Sequence, residues 1–372
     1  MLPHVNSSHP AQWWHALSDG RIQCDLCPRE CKLHAGQKGL CFVRERTGDT
    51  MVLSTYGRSS GFCIDPIEKK PLNHFYPGSG ILSFGTAGCN LACKFCQNWD
   101  ISKSRDTDKL GVSASPERIA QACGEINAQM AGQGVSVKSV AFTYNDPVIF
   151  AEYAMDVADA CRAAGIHSVA VTAGYMHEAP RRAFYAKMDA ANVDLKGFTQ
   201  AFYQDLCAGD LQPVLDTLVH IRHATDCWLE ITTLLIPGAN DSDAEIEALS
   251  KWIERELGAD VPLHFTAFHP DFKLRDRPAT PPETVQRARH IALACGLQHV
   301  YTGNIHDAEG GTTCCPHCQT PLIVRDWHHI EQYNLNYNAC PSCGKALVGR
   351  FEGHAAGFKQ LGRKRIPVSF AA

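Results

Sequence analysis

Seven short apolar runs, each followed by a polar loop and most then by a helix-like segment, constrain this chain more than any other feature. The runs are ILSFG (81–85), SVAFTY (139–144), HSVAVT (167–172), ANVDL (191–195), WLEITTLLI (228–236), LHFTAF (263–268) and QHVYTG (298–303). Strands that alternate with helices imply a parallel sheet with right-handed crossovers. The helical segments carry start signals. Ser115, Pro116 and Glu117 read as an N-cap, a first-turn proline and an acid favoured by the helix dipole. Asp241 and Ser242 precede a segment whose Ile246, Leu249, Ile253 and Leu257 recur at helical spacing. Six or seven such units suit an α/β fold of partial or complete (β/α) barrel type better than a doubly wound sheet.

In barrels of this kind, chemistry sits on the loops at the carboxyl ends of the strands. Those loops read GTAGCNLACKFC, YNDP, AGYM, DLKG, PGANDSD, HPDF and GNIH, and would converge on one rim. The first delivers Cys89, Cys93 and Cys96 in a C-x3-C-x2-C spacing, with Phe95 before the last cysteine. Cubane iron–sulfur clusters usually take four thiolates, so three from one loop leave one iron open. An open coordination position is what lets a bound metal act on a substrate. A disulfide or a zinc knuckle is the blander reading. The preceding strand, the aromatic residue and the spacing together favour the cluster.

The chain has 372 residues, enough for two or three domains or one barrel with appendages. Hydrophobic residues make up 45% and charged residues 20%, an ordinary balance for a globular chain with a large core. A net charge of −4 gives no basic footprint for nucleic acid. No apolar run is long enough to span a bilayer, and MLPHVNSSHPAQWW lacks the layout of a secretory signal, so a cytoplasmic location is expected. In that setting the 18 cysteines read as metal ligands rather than disulfides.

They sort into clusters. Cys24, Cys27, Cys31 and Cys41 form one four-thiolate set, with Gly36 and Gly39 permitting a tight knuckle. Four ligands close a tetrahedral site, which points to structural zinc, with a second iron–sulfur cluster as the rival. Cys315, Cys318, Cys340 and Cys343 form paired C-x2-C knuckles joined by β-like segments and read as a zinc ribbon, with rubredoxin-type iron as its rival. Cys63, Cys123, Cys161, Cys207, Cys227, Cys295 and Cys314 are read as packing or spare residues. Between residues 51 and 76, MVLSTY and SGFCI suggest a small sheet leading into the core, and Lys69 and Lys70 a solvated pair. The basic tail (Lys359, Arg363, Lys364, Arg365) reads as a solvated end. The expected division is 1–78 for the N-terminal four-cysteine and β segment, 79–310 for the barrel, and 311–372 for the ribbon and tail.

The cysteine loop resembles the cluster motif of the radical S-adenosylmethionine (SAM) superfamily. CDLCPREC, PIEKKPLNHF, GCNLACKFCQNWDIS, TYNDP, DLKGF, IPGAND and PLHFTAFHPDF together resemble the AmmeMemoRadiSam-system radical SAM enzymes, relatives of the pyruvate formate-lyase activating enzymes. The resemblance implies a [4Fe–4S] cluster on Cys89, Cys93 and Cys96, with the amino and carboxylate groups of SAM on the fourth iron. It places Tyr144, Asn145 and Asp146 where the superfamily's glycine-glycine-glutamate motif offers carbonyls to the SAM amino group. Asp194 and Lys196 look like the pair used on the ribose and carboxylate, and His269 like a histidine beside SAM. Two positions depart from the family pattern: Ala173 stands where asparagine is usual, and Asp146 where glutamate is usual.

The implied activity is reductive cleavage of SAM to a 5′-deoxyadenosyl radical that abstracts hydrogen from a substrate the sequence does not identify. A glycyl-radical enzyme activase is the alternative within enzymes. A zinc-dependent interaction or nucleic-acid-binding module without catalysis is the alternative outside them. Implied partners are an electron donor such as flavodoxin or ferredoxin, and a Memo-like protein with its companion; neither membrane nor nucleic acid is indicated.

Overall fold

The computed structural model describes residues 8–105, 110, 112–133, 135–352, 359–363 and 365–369. Lys364 of the basic tail lies outside them. All seven expected strands are present: β1 (Gly80–Phe84), β2 (Val137–Phe142), β3 (His167–Thr172), β4 (Ala190–Asp194), β5 (Trp228–Leu235), β6 (Leu263–Ala267) and β7 (Val300–Gly303). They pair in parallel in strict chain order. The crossovers are α1 (Pro116–Met130), α2 (Ala151–Ala163), α3 (Glu178–Tyr185), α4 (Gln212–Ala224), α5 (Asp243–Leu257) and α6 (Pro282–Ala294). The sheet curls without closing, because β7 does not pair back to β1, and the fold is an open barrel.

Local chemistry explains the helix starts. The Ser115 hydroxyl accepts from the Arg118 amide at 3.2 Å, and Ser242 caps α5 by accepting from Glu245 at 3.3 Å. The four apolar residues of α5 named from the sequence are all buried. No helix among the described residues is long and apolar enough to cross a membrane.

The edge beside β1 differs from the sequence-based expectation. Phe62–Pro66, whose first residues were expected in a small sheet leading into the core, joins the barrel sheet itself, antiparallel to β1. Ile366–Val368 then pairs antiparallel with it, so the tail forms an edge strand although Lys359 and Arg363 are exposed. A covered edge removes a template for unwanted strand pairing. Lys70 is likewise not solvated. It is 3% exposed and its ammonium lies 2.7 Å from Asp65, while the half-exposed Lys69 reaches the same carboxylate at 3.1 Å. A buried ammonium is tolerated because the carboxylate of Asp65, itself fully buried on the edge strand, pairs with it directly.

The C-terminal ribbon, with hairpin strands β8 (Pro321–Asp326) and β9 (His329–Tyr333), seats against the amino ends of the barrel strands. A buried hydrogen-bond network joins the two. Glu230, at the start of β5, accepts from the amides of Asn73 and His74 at 2.9 and 2.7 Å and from His264 at 2.7 Å. His74 Nδ1 faces the Val348 carbonyl at 2.8 Å and so donates to it, which leaves Nε2 to accept from the Tyr301 hydroxyl at 2.6 Å. Tyr301 pairs with Thr313, which accepts from Arg325, and Arg325 also donates to the Asn73 carbonyl.

Burial pushes the His74 imidazole down to about 4. Its folded value lies below the unfolded one, so the stability tied to its neutral form is present above about pH 6.5. That stability, about 3 kcal/mol, is lost as pH falls toward 4. Urea midpoints measured at pH 7 and pH 4.5 should therefore fall more steeply for the wild type than for His74→Gln; equal slopes would contradict this.

Candidate SAM and cluster site

A cavity of about 300 Å³ opens at the carboxyl ends of the strands. Cys89, Cys93 and Cys96 line it together with Tyr144, Asn145, Asp146, Asp194 and Lys196. Eight of the nine residues expected on this rim therefore share one wall system. His269 does not join them: it is exposed on the loop after β6, and its ring nitrogen faces the Pro270 carbonyl. Thr232, Thr266 and Asn304 supply that side of the cavity instead.

The cysteine loop is held from several directions. Asn145 accepts from the Thr86 amide at 2.9 Å and donates to the Gly88 carbonyl at 3.0 Å. Lys103 donates to the Leu91 carbonyl at 2.6 Å, and Asn90 to the Tyr175 carbonyl at 2.7 Å. The amides of Ala92 and Lys94 donate to the carbonyls of Cys207 and Leu206. Gly88 adopts φ +86°, and a Cβ there would stand 1.9 Å from the Cys41 carbonyl oxygen, so no other residue fits.

Cys207, read from the sequence as packing, is part of the site. Its carbonyl accepts from the Ala92 amide of the cysteine loop, and its neighbouring thiol, with the nearby lysines, holds the Cys93 thiol down at about 7. Burial pushes Cys89 up to about 12, so a bound metal is what would keep it a thiolate. Cys96 lies 3.0 Å from the Ser102 hydroxyl.

Lys196 and Asp194 form an ion pair at 2.8 Å at the end of β4. Burial pushes the Lys196 ammonium down, but Asp194 and the sulfurs of Cys93 and Cys207 more than offset this and keep it charged. The side chain of Asp146 is engaged within the protein. It is 6% exposed and accepts from the amides of Val148 and Ala173 at 3.0 and 2.9 Å and from the Thr172 hydroxyl at 2.8 Å. The two positions that depart from the family pattern are thus bonded to each other, and Asp146 pins the loop after β2 to the loop after β3. Asp146→Ala leaves three buried donors without an acceptor, a cost of about 2–4 kcal/mol. A fall in thermal midpoint with the iron content retained is expected; an unchanged midpoint would show the carboxylate is not structural.

Tyr144 has φ +71°, a conformation that side chains rarely adopt. The strain is held by its hydroxyl, 3.0 Å from Asp65 and 2.7 Å from Cys63, and by Lys70 and Arg365 over its ring at 4.9 and 5.5 Å. Strained backbone of this kind concentrates at ligand sites. These partners come from the covered edge, which the sequence did not reveal.

The C-terminal quartet draws its sulfurs together. Cys315, Cys318, Cys340 and Cys343 lie within 4.8 Å of one another, with Cys315–Cys343 and Cys318–Cys340 both at 3.6 Å. Metal–sulfur bonds of about 2.3 Å in a tetrahedron require sulfur separations close to these, so the set fits one zinc or one iron ion.

Comparison with known proteins agrees with this geometry. The sequence profile of the radical SAM superfamily matches residues 84–249. A protein of Methanocaldococcus jannaschii, itself uncharacterised, is 35% identical over 339 residues, covering 91% of this chain and 98% of that one. The chain belongs to the radical SAM superfamily. Among solved structures, this radical SAM protein is similar to a domain of pyruvate-formate lyase-activating enzyme from Bacteroides vulgatus (19% identity, 44% of this chain and 98% of that one, TM-score 0.38). It is also similar to a radical SAM methyltransferase from Sphaerobacter thermophilus (15% identity, 81% and 78%, TM-score 0.48).

Proposed function

We propose that this protein is a radical SAM enzyme whose barrel rim holds a [4Fe–4S] cluster on Cys89, Cys93 and Cys96 and binds SAM beside it. The observation that carries the reading is the shared cavity: three cysteines of one loop open onto the same space as the Lys196–Asp194 pair. The donor set fits the group, since three thiols without a fourth from the same loop suit a cluster with one ligand position left for substrate. When bound, the cluster with SAM supplies reductive cleavage of SAM and so a 5′-deoxyadenosyl radical.

The chain's own residues bind and orient. Lys196 offers a cation to a carboxylate, and Asp194 an acceptor to ribose hydroxyls. The loop of Tyr144, Asn145 and Asp146 offers backbone carbonyls to an ammonium group, and its shape is fixed by Thr86, Thr172 and Ala173. The enclosing strand ends limit the access of water to the reacting atoms. A ferredoxin or flavodoxin is the fitting class of electron donor.

Anaerobically reconstituted protein given dithionite and SAM should release 5′-deoxyadenosine and methionine. An intact rim cluster that yields neither would overturn the reading.

A further inference from the structure

The cavity at the barrel rim has two unlike walls. Among the described residues, its ionisable lining side chains besides the three cysteines are Tyr144, Asp146, Asp194 and Lys196. All four are engaged. Asp146 accepts from Val148, Ala173 and Thr172, and Asp194 pairs with Lys196. The Tyr144 hydroxyl turns to Asp65 and Cys63 on the edge strand.

The wall made by β5, β6 and the loop after β7 carries no charge. It presents Thr232, Leu234, Thr266 and Asn304. Parallel pairing sets Thr232 level with Asp194 and Thr266 level with Leu234, so the neutral wall adjoins the charged one directly. Gly303 pairs with Thr266, and a Cβ there would stand 2.8 Å from the Thr266 methyl, so glycine leaves that side chain its place. Asn304 is held by a bond from its side-chain amide to the Ala267 carbonyl at 3.1 Å.

This wall is polar nonetheless. Thr232 is 8% exposed, and its hydroxyl has no partner among the described residues. Buried hydroxyls are normally paired, so one left over in a cavity wall suits a ligand that brings the partner. A charged group entering here would lose its water without gaining a counter-charge, since Lys196 and Asp194 neutralise each other. A neutral alcohol or amide loses less on leaving water and can exchange hydrogen bonds with the wall.

We propose that the part of the substrate entering this cavity is an uncharged hydrogen-bonding group, an alcohol or an amide, selected by the wall of Thr232, Thr266 and Asn304. The proposal rests on the radical SAM reading, in which the charged wall is taken by SAM.

The test uses full-length protein reconstituted anaerobically and three matched probes deuterated at the α-carbon: N-acetylglycinamide (neutral), N-acetylglycine (anionic) and glycinamide (cationic). Ethylene glycol against glycolate, both deuterated, repeats the comparison for an alcohol. With SAM and dithionite, a C–D bond of the probe breaks and its deuterium atom is carried into 5′-deoxyadenosine. The neutral probes should transfer deuterium at least about tenfold better than their charged counterparts. Saturation-transfer nuclear magnetic resonance on the oxidised protein should give the same order for binding, without turnover. A charged probe that binds or reacts as well as its neutral counterpart, or neutral probes that do neither, would overturn the proposal. Thr232→Val should lower the share of 5′-deoxyadenosine that carries deuterium several-fold, and Thr232→Ser should recover most of it. A weakened SAM affinity in Thr232→Val with that share unchanged would assign the wall to SAM and overturn the selection of substrate. No 5′-deoxyadenosine from any sample would refute the radical SAM reading, while the order of probe binding would still decide the neutral wall.

Discussion

Cys93→Ala is expected to strip iron from the barrel rim and reduce SAM cleavage to background, the largest functional loss available from one substitution. Two reasons converge. Cluster assembly needs every thiolate the loop supplies, since one iron position is already left to the substrate. Cys93 is also the most enclosed of the three, 8% exposed, with Cys207 and Lys196 set against it. Cys207→Ala is the informative contrast. It removes the thiol neighbouring the Cys93 sulfur but no ligand, so iron should stay while the reduction potential falls. Iron analysis and a redox titration of the two variants separate ligand from neighbour. Loss of iron from both would make Cys207 a ligand, and a full cluster in Cys93→Ala would exclude Cys93.

Cys318→Ser is expected to give the largest structural loss. Structural metal sites of this type contribute about 10 kcal/mol or more to the fold they close. Here the loss would not stop at the ribbon. Arg325, Val348 and Thr313 come from the ribbon side and complete the buried network around His74 and Tyr301. Uncovering that network exposes or orphans several buried donors at the barrel base, a further cost of about 3–5 kcal/mol. A lower thermal midpoint and faster amide exchange at Asn73 and His74 should accompany metal loss. Barrel exchange rates that do not change would show that the ribbon is only appended.

The barrel was legible in the sequence because each strand is a local event: a short apolar run, a polar loop and a capped helix. The rim followed from the same order, since parallel strands point every carboxyl-end loop one way. What escaped were pairings between distant segments. Nothing in IPV announces that Ile366–Val368 will pair with Phe62–Ile64. Lys70 reads as solvated until Asp65 is placed beside it. Cys207 reads as packing because its approach to Cys93 depends on how the segment after β4 folds back on the cysteine loop. His269 lies on the loop past the end of β6 and is exposed, whereas Thr266 within the strand faces the cavity, a difference that the motif FHP does not encode. The Cys24–Cys41 spacing counts ligands but carries no sulfur separations, so it does not choose between zinc and a cluster.

The edge strand Ile366–Val368 also has a temporal meaning. Ribosomes deliver it long after Phe62–Pro66, which until then carries a bare row of amides and carbonyls on its outer side. Through that interval the nascent protein has an open seam next to Cys63 and Tyr144, the residues that brace the SAM cavity from behind. The wall behind the cavity is therefore complete only once this strand has paired and Arg365 has reached the Cys63 sulfur at 3.1 Å.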